Sequence, residues 1–241
     1  MKVSTIIISK SETINKLVLE SVSFSEEIII IVDSIVKKPK KVGKTRIFYR
    51  PLNNDFAAQR NFGLSKAKNN WVLFVDDDEY VGTELSREIQ LLPEDAKKSG
   101  FRIKRIDICF HQPLLHGETG NTMILRLAKR SSGSFTRSVH ETWIVKGQVG
   151  ELGSPLYHIK DSFISGFIGR MEQYSSIDSD ILTKENKPFT FWRLILNPKG
   201  KFLQNYFSRQ GFLDGTVGLF SAYLMSVQSL TVRVFQWTKR N

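Results

Sequence analysis

Apolar positions along this chain fall into short blocks whose period switches between that of a strand and that of a helix. Residues 3–8 form an apolar, β-branched run of strand length, and residues 11–21 place Ile14, Leu17 and Val18 on one helical face. Residues 28–32 are continuously apolar, the pattern of a strand covered on both sides, and residues 46–49 form a shorter run. Residues 54–68 have helical spacing, with Phe56, Ala57, Phe62, Leu64 and Ala67 for packing and Asn54 or Asp55 as cap. Residues 71–75 are again a buried-strand block. The alternation predicts an α/β fold with a largely parallel sheet and helices on both faces. Farther on, residues 101–109 alternate as a strand. Residues 123–127, 134–139, Thr142–Val145 and 155–158 are further strand candidates, and residues 161–183 read as a helix.

The block at 71–75 runs directly into Asp76, Asp77, Asp78 and Glu79. At the end of a buried strand these acids belong at the carboxyl edge of the sheet, where open α/β folds bind ligands. Four adjacent carboxylates repel one another unless something positive neutralises them. A hard divalent cation that also carries phosphate fits that chemistry. The plainer reading is an acidic helix N-terminus following the strand.

Upstream residues favour the first reading. The stretch DFAAQRNFGLSKAKNNWVLFVDDDE, residues 55–79, resembles the family-2 glycosyltransferases, nearest the branch of lipopolysaccharide core glucosyltransferases. The pieces EEIIIIVDS (26–34), SVHE (138–141), PLYH (155–158) and RQGFLDGTVGL (209–219) extend the resemblance over nearly the whole chain. It implies a GT-A fold, a nucleotide-diphosphate sugar as donor and a divalent cation, Mg²⁺ or Mn²⁺. Asp33, after the second strand, then contacts the nucleotide, and Ser9 and Glu12 match positions lining the base pocket. Arg60 lies near the nucleotide. Asp76 contacts ribose or metal, Asp78 binds the cation, and His158 is an additional metal ligand. Glu141 is the base that deprotonates the acceptor hydroxyl, with His140 as rival. The chain departs from the family after Asp33, where Lys37, Lys38, Lys40 and Lys41 replace a small-residue loop ending in an acid.

Composition narrows the partners. The 241 residues carry a net charge of +11, which suits nucleic acid, an anionic membrane or a phosphorylated substrate. No zinc-knuckle or RNA-recognition motif supports nucleic acid. The single cysteine, Cys109, suits a reducing cytoplasm, and the first apolar run reads as a core strand rather than a cleavable leader.

Basic residues concentrate at the end. Residues 184–241 hold nine Lys or Arg against Glu185 and Asp214, with eleven aromatics interleaved. Leu213, Val217, Phe220, Leu224, Val227 and Val234 form a helical stripe in a segment that is uncharged over residues 215–232. An amphipathic helix in the plane of an anionic membrane fits this pattern. Packing on the protein's own core and a membrane span are the alternatives.

The expected organisation is a catalytic domain at 1–183 and a membrane-associating segment at 184–241, peripheral on the cytoplasmic face. The expected activity is inverting transfer to a glycolipid acceptor. A non-catalytic, membrane-associated protein on the same scaffold is the competing expectation.

Overall fold

The structure is a computed structural model that describes residues 1–137, 141–160 and 162–240, apart from the side chain of Asn121. Its strands are β1 (Val3–Ser9), β2 (Glu27–Val32), β3 (Lys40–Val42), β4 (Thr45–Tyr49), β5 (Trp71–Asp76), β6 (Glu79–Val81) and β7 (Gly100–Cys109). They continue with β8 (Gln112–Leu114), β9 (Thr122–Lys129), β10 (Gly133–Thr136), β11 (Thr142–Val145), β12 (Val149–Glu151) and β13 (Leu156–Lys160). The helices are α1 (Lys16–Ser21), α2 (Phe56–Lys66), α3 (Thr83–Leu91), α4 (Phe163–Lys184), α5 (Phe191–Leu203) and α6 (Gly215–Thr238).

The chain forms two compact units. The first comprises Met1–Arg105 and Met123–His158, the second Ile106–Thr122 and the chain from Ile159 on. Residues 106–122 and α4, expected with the catalytic domain, therefore belong with the C-terminal helices.

In the first unit the strand order is β3-β4-β2-β1-β5-β9-β7-β13-β6. The pairs β4/β2, β2/β1 and β1/β5 are parallel. Beyond β5 the sheet is mixed, because β9 lies antiparallel to β5 and β13 antiparallel to β6, whereas the short β12 runs parallel to β7. The α/β class is as expected, with parallel pairing among the four strands β4, β2, β1 and β5, linked by helical crossovers or long returns, and again where β12 joins β7.

Strand alternation distributes the core over both faces of the sheet. Ile7, Ile28, Ile30, Leu73 and Val75 pack with Val18 of α1 and Leu85 and Ile89 of α3. Ile6, Ile29, Ile31, Val72 and Phe74 pack with Ala57 and Leu64 of α2. Gly63 lets α2 approach closely, since a Cβ there would lie 2.7 Å from Ile6 Cγ2. Asp55 caps α2 by accepting from Ala58 N at 2.8 Å, an interaction worth about 1 kcal/mol. The first helix starts later than its pattern suggests: Asn15 accepts from Leu17 N at 2.9 Å and sets the start at Lys16. The acids after β5 do not open a helix. A turn at Asp77 and Asp78 leads into β6, and α3 begins only at Thr83.

The second unit is mainly helical. Cys109, Leu114, Phe163 and Val217 form its small core, with Leu224 packed against it. Burial and the neighbouring Asp107 push the Cys109 thiol up to about 12, so it stays protonated. A Cβ on Gly218 would lie 1.9 Å from the Gly211 carbonyl oxygen, so the corner leading into α6 requires glycine. The expected stripe divides in two: Val217 and Leu224 turn inward, whereas Leu213, Phe220, Val227 and Val234 are exposed. Phe220, Tyr223, Val227, Leu230, Val234 and Trp237 form an outward seam of alternating three- and four-residue spacing. By length and composition, Gly211–Thr238 could cross a membrane.

Candidate functional site

Parallel register builds the site. Ile8 of β1 lies opposite Asp76 of β5, and Ser9 lies opposite Val32 of β2. The chain ends that carry Ser9, Asp33, Asp76 and Asp77 therefore share one carboxyl edge.

At its centre is a network of guanidinium and carboxylate groups. Arg60, buried on α2, donates from Nη2 to Asp76 Oδ1 at 2.9 Å and from Nε to Glu141 Oε1 at 2.8 Å. Arg126, on β9, donates from Nη2 to Asp76 Oδ2 at 2.5 Å and to Glu79 Oε1 at 2.8 Å. Arg105 lies 3.7 Å from the same Glu79 oxygen. Three guanidiniums thus meet three carboxylates. Burial alone would lift the Asp76 carboxyl, but Arg126 and Arg60 outweigh it and hold Asp76 well below the usual aspartate range. Glu79 is fully buried, and there burial prevails and raises its carboxyl.

Arg60 rests on an aromatic floor. Its guanidinium lies 5.5 Å from the Phe74 ring and 5.6 Å from the Phe135 ring, and Trp143 stacks on Phe135. Asn61, the next residue on α2, secures that floor by exchanging hydrogen bonds with the Phe135 backbone at 2.8 and 2.9 Å. Arg60 Nη1 is buried with no hydrogen-bond partner among the described residues. Such a donor is costly to leave unsatisfied and suits an incoming oxygen.

The other expected residues take distinct positions. Asp78 Oδ2 lies 3.1 Å from His158 Nε2, an arrangement set by β13 pairing His158 with Glu79 of β6. Asp33 Oδ1 accepts from Leu52 N at 2.8 Å and fixes the loop leading to α2. Ser9 Oγ donates to Asp77 Oδ2 at 2.7 Å, so Asp77 faces the end of β1. Glu12 pairs with Lys40 at 2.5 Å and Lys37 at 3.7 Å. The hydrogen bond from Lys40 holds the Glu12 carboxyl below its ordinary range. The lysines of the divergent loop therefore fold back onto an expected base-pocket residue, and both also lie over the Tyr49 ring. His140, the rival base, lies outside the described residues.

The structure thus brings Arg60, Asp76 and Glu141 into one junction and pairs Asp78 with His158. Arg126 and Arg105 escaped the sequence reading, and Glu79 was given no role there. The available signal was Arg126 itself, a charge between Leu125 and Leu127 in a strand-like run, where burial demands a counter-charge.

The family described as "Glycosyl transferase family 2" matches residues 18–131. An uncharacterized glycosyltransferase of Rickettsia typhi is 23% identical over 92% of this chain and 85% of its own length. The lipopolysaccharide core biosynthesis glycosyltransferase LpsC of Rhizobium meliloti is 26% identical over 76% of this chain and 72% of its own. Among solved structures, S. aureus TarS 1-349 in complex with UDP covers 100% of this chain and 91% of that one, at 13% identity and a TM-score of 0.48.

Proposed function

We propose that this chain, whose residues 18–131 match glycosyl transferase family 2, is a member of that family and moves a sugar from a uridine-diphosphate sugar to a glycolipid acceptor, such as lipopolysaccharide core, with inversion at the anomeric carbon. The observation that carries this reading is the junction of Arg60 with Asp76 and Glu141, in which one guanidinium joins a strand-end acid to a candidate base, with no partner for Nη1 among the described residues.

The roles follow from the partners. Arg60 Nη1 donates to a phosphate or base oxygen of the donor. Asp33 keeps Oδ2 for the uracil or ribose side, since Oδ1 is held by Leu52 N. Ser9 and Glu12 border the base, with Glu12 shared with Lys37 and Lys40. Asp76 is clamped by two guanidiniums, yet each of its oxygens retains a lone pair for a ribose hydroxyl. Cation ligation by Asp76 is disfavoured by the two positive charges already on it. Asp78 and His158 fit a divalent cation better, being an exposed carboxylate and an imidazole that converge at 3.1 Å. A nitrogen–oxygen pair suits Mn²⁺ more than Mg²⁺. Among the described residues no group of three His, Cys, Asp or Glu could hold a metal, so a cation on this pair would need diphosphate and water as its further ligands. Such a cation, when bound, stabilises the charge that develops on the leaving diphosphate.

Glu141 acts at the other end of the reaction. Its Oε1 accepts from Arg60, and Oε2 carries no hydrogen bond among the described residues. Oε2 takes the acceptor proton as the hydroxyl oxygen attacks the face opposite the leaving group.

The acceptor reading draws on the likeness to LpsC and on the outward seam of α6. An aromatic and aliphatic helix face, in a C-terminal segment with an excess of Lys and Arg, fits a peripheral position on an anionic membrane, on the cytoplasmic side.

Calorimetric titration of uridine diphosphate with Mn²⁺ tests the site. Wild type binds, and Arg60→Met weakens binding by about tenfold or more, the worth of a lost charge-assisted hydrogen bond. Absence of nucleotide binding by folded wild type overturns the reading in favour of a non-catalytic scaffold.

A further inference from the structure

The helical unit contains a cavity of about 860 Å³ lined by residues of α4, α5, α6 and the segments beside them. That volume lies in the roughly 300–1,000 Å³ range of small-molecule sites. Its chemistry is uneven. Ile181, Leu182, Leu196, Met225 and Val232 give it apolar walls, while Arg233 and Asn197 provide a polar wall.

Arg233 is the unusual element. It is 8% exposed and forms no ion pair among the described residues. Its partners are neutral amides: Nη1 donates to Gln236 Oε1 at 2.6 Å, and in the orientation that satisfies both groups, Asn197 Oδ1 accepts from Nε at 3.0 Å and Nη2 at 2.8 Å. Three of its five N–H groups are thereby used, which leaves one on each terminal nitrogen. Burial and the nearby Arg193 both push the Arg233 guanidinium down from its ordinary value. Arg233 is therefore a buried cation with no counter-charge among the described residues, an arrangement that is expensive unless an anion completes it. The carboxylates on the cavity wall do not do so. Glu118 is engaged by Lys201 at 2.6 Å and Arg209 at 3.6 Å, and Asp178 forms no ion pair with Arg233.

Gly200 supports the same conclusion. It lies inside α5, where glycine costs about 1 kcal/mol relative to alanine. It also lines the cavity, and a Cβ there would meet nothing within 4 Å. A larger side chain at this position would project into that open space.

We propose that this cavity is a binding site for an anionic amphiphile, with a phosphate or carboxylate paired to Arg233 and an alkyl chain along Ile181, Leu196, Met225 and Val232. The inference stands apart from sugar transfer, and its test needs no turnover.

The full-length protein is titrated calorimetrically, below the micellar concentration, with lysophosphatidic acid, with the neutral monoacylglycerol of equal chain length, and with inorganic phosphate. Lysophosphatidic acid binds saturably at one site per chain. Monoacylglycerol and phosphate each bind at least about tenfold more weakly, because each lacks one half of the recognition. Arg233→Gln weakens lysophosphatidic acid binding by about tenfold or more while leaving monoacylglycerol unchanged. Gly200→Leu, which fills the cavity and favours the helix, abolishes lysophosphatidic acid binding with the circular dichroism spectrum preserved. It also keeps the test decisive should Arg233→Gln fail to fold. Equal affinity for lysophosphatidic acid and monoacylglycerol overturns the assignment of the anion. Phosphate binding as tightly as the lysolipid identifies a free-phosphate site and overturns the alkyl half. Unchanged binding by Gly200→Leu overturns the cavity itself.

Discussion

The two units of this chain treat charge and apolar surface in opposite ways. In the first, the largest side chains, among them Trp71, Phe74 and Leu73, are fully buried, and the buried charges of Arg60, Arg126 and Glu79 are satisfied by one another and by the half-buried Asp76. In the second, Phe220, Tyr223, Leu230 and Trp237 face outward, and the buried guanidinium of Arg233 is hydrogen-bonded to amides, with no ion pair among the described residues. A reacting centre needs its groups held before substrate arrives, and a balanced network of ion pairs does that. A binding surface can leave its pairing to the partner that completes it. The first unit is therefore expected to respond to single changes through chemistry and cooperative stability, and the second through association.

The largest expected effect tests the first half of that contrast. Glu141→Gln retains an amide oxygen that can accept from Arg60 Nε, so donor affinity changes little. Turnover falls by roughly 10²–10⁴, the range for loss of a general base. Separate measurement of donor binding and of kcat distinguishes the roles. A collapse of donor affinity with turnover of bound donor preserved assigns Glu141 to the nucleotide site instead.

Asp78→Ala removes a carboxylate that is exposed and outside the three-guanidinium network. Its thermal unfolding should match wild type, while turnover drops on the order of 10²–10³, the loss for one strong electrostatic stabiliser. Near-normal turnover removes the cation from Asp78.

Arg126→Met probes stability rather than chemistry. It leaves Asp76 and Glu79 without their shared partner, at a cost of about 3 kcal/mol at neutral pH. Asp76 is held below its unfolded value, so its contribution is present above the ordinary aspartate range and fades as pH falls toward the folded value. Urea denaturation at neutral pH and near pH 3 should therefore show the gap between wild type and variant narrowing in acid. A gap that widens there contradicts the clamp.

Much of the first unit was legible in the sequence because its signals are contiguous. The blocks at 28–32 and 71–75, the Arg60 helix and the acids at 76–79 each lie within one element. What escaped was set by pairing across distance. Arg126 reaches Asp76 from β9, which inserts antiparallel beside β5, and no local pattern announces that neighbour. The run of lysines after Asp33 marked a departure, but its return onto Glu12 depended on the β3–β4 hairpin. In the tail, spacing identified the helix but not which half of its stripe would turn inward. Val217 and Leu224 are held by Cys109, Leu114 and Phe163, residues far away in sequence. Asp214, counted against the basic tail, pairs with His116 at 2.7 Å.

The smallest effect concerns the seam. Phe220→Ser with Leu230→Ser should leave donor hydrolysis unchanged and release part of the protein from anionic vesicles. High salt should release a further part, at roughly 1 kcal/mol for each Lys or Arg near the surface. Equal binding to neutral and anionic vesicles contradicts the electrostatic component, and resistance to alkaline carbonate extraction indicates a spanning helix.

The central claim is that the carboxyl edge of the first unit carries out sugar transfer from a nucleotide-diphosphate donor. Its most direct test is turnover of a panel of nucleotide sugars by the wild-type chain with a glycolipid acceptor and Mn²⁺, followed by nuclear magnetic resonance of the product linkage. One donor should be consumed, in a chelator-sensitive reaction, with the anomeric configuration inverted. Consumption of none by folded protein, or a product with retained configuration, would contradict the account.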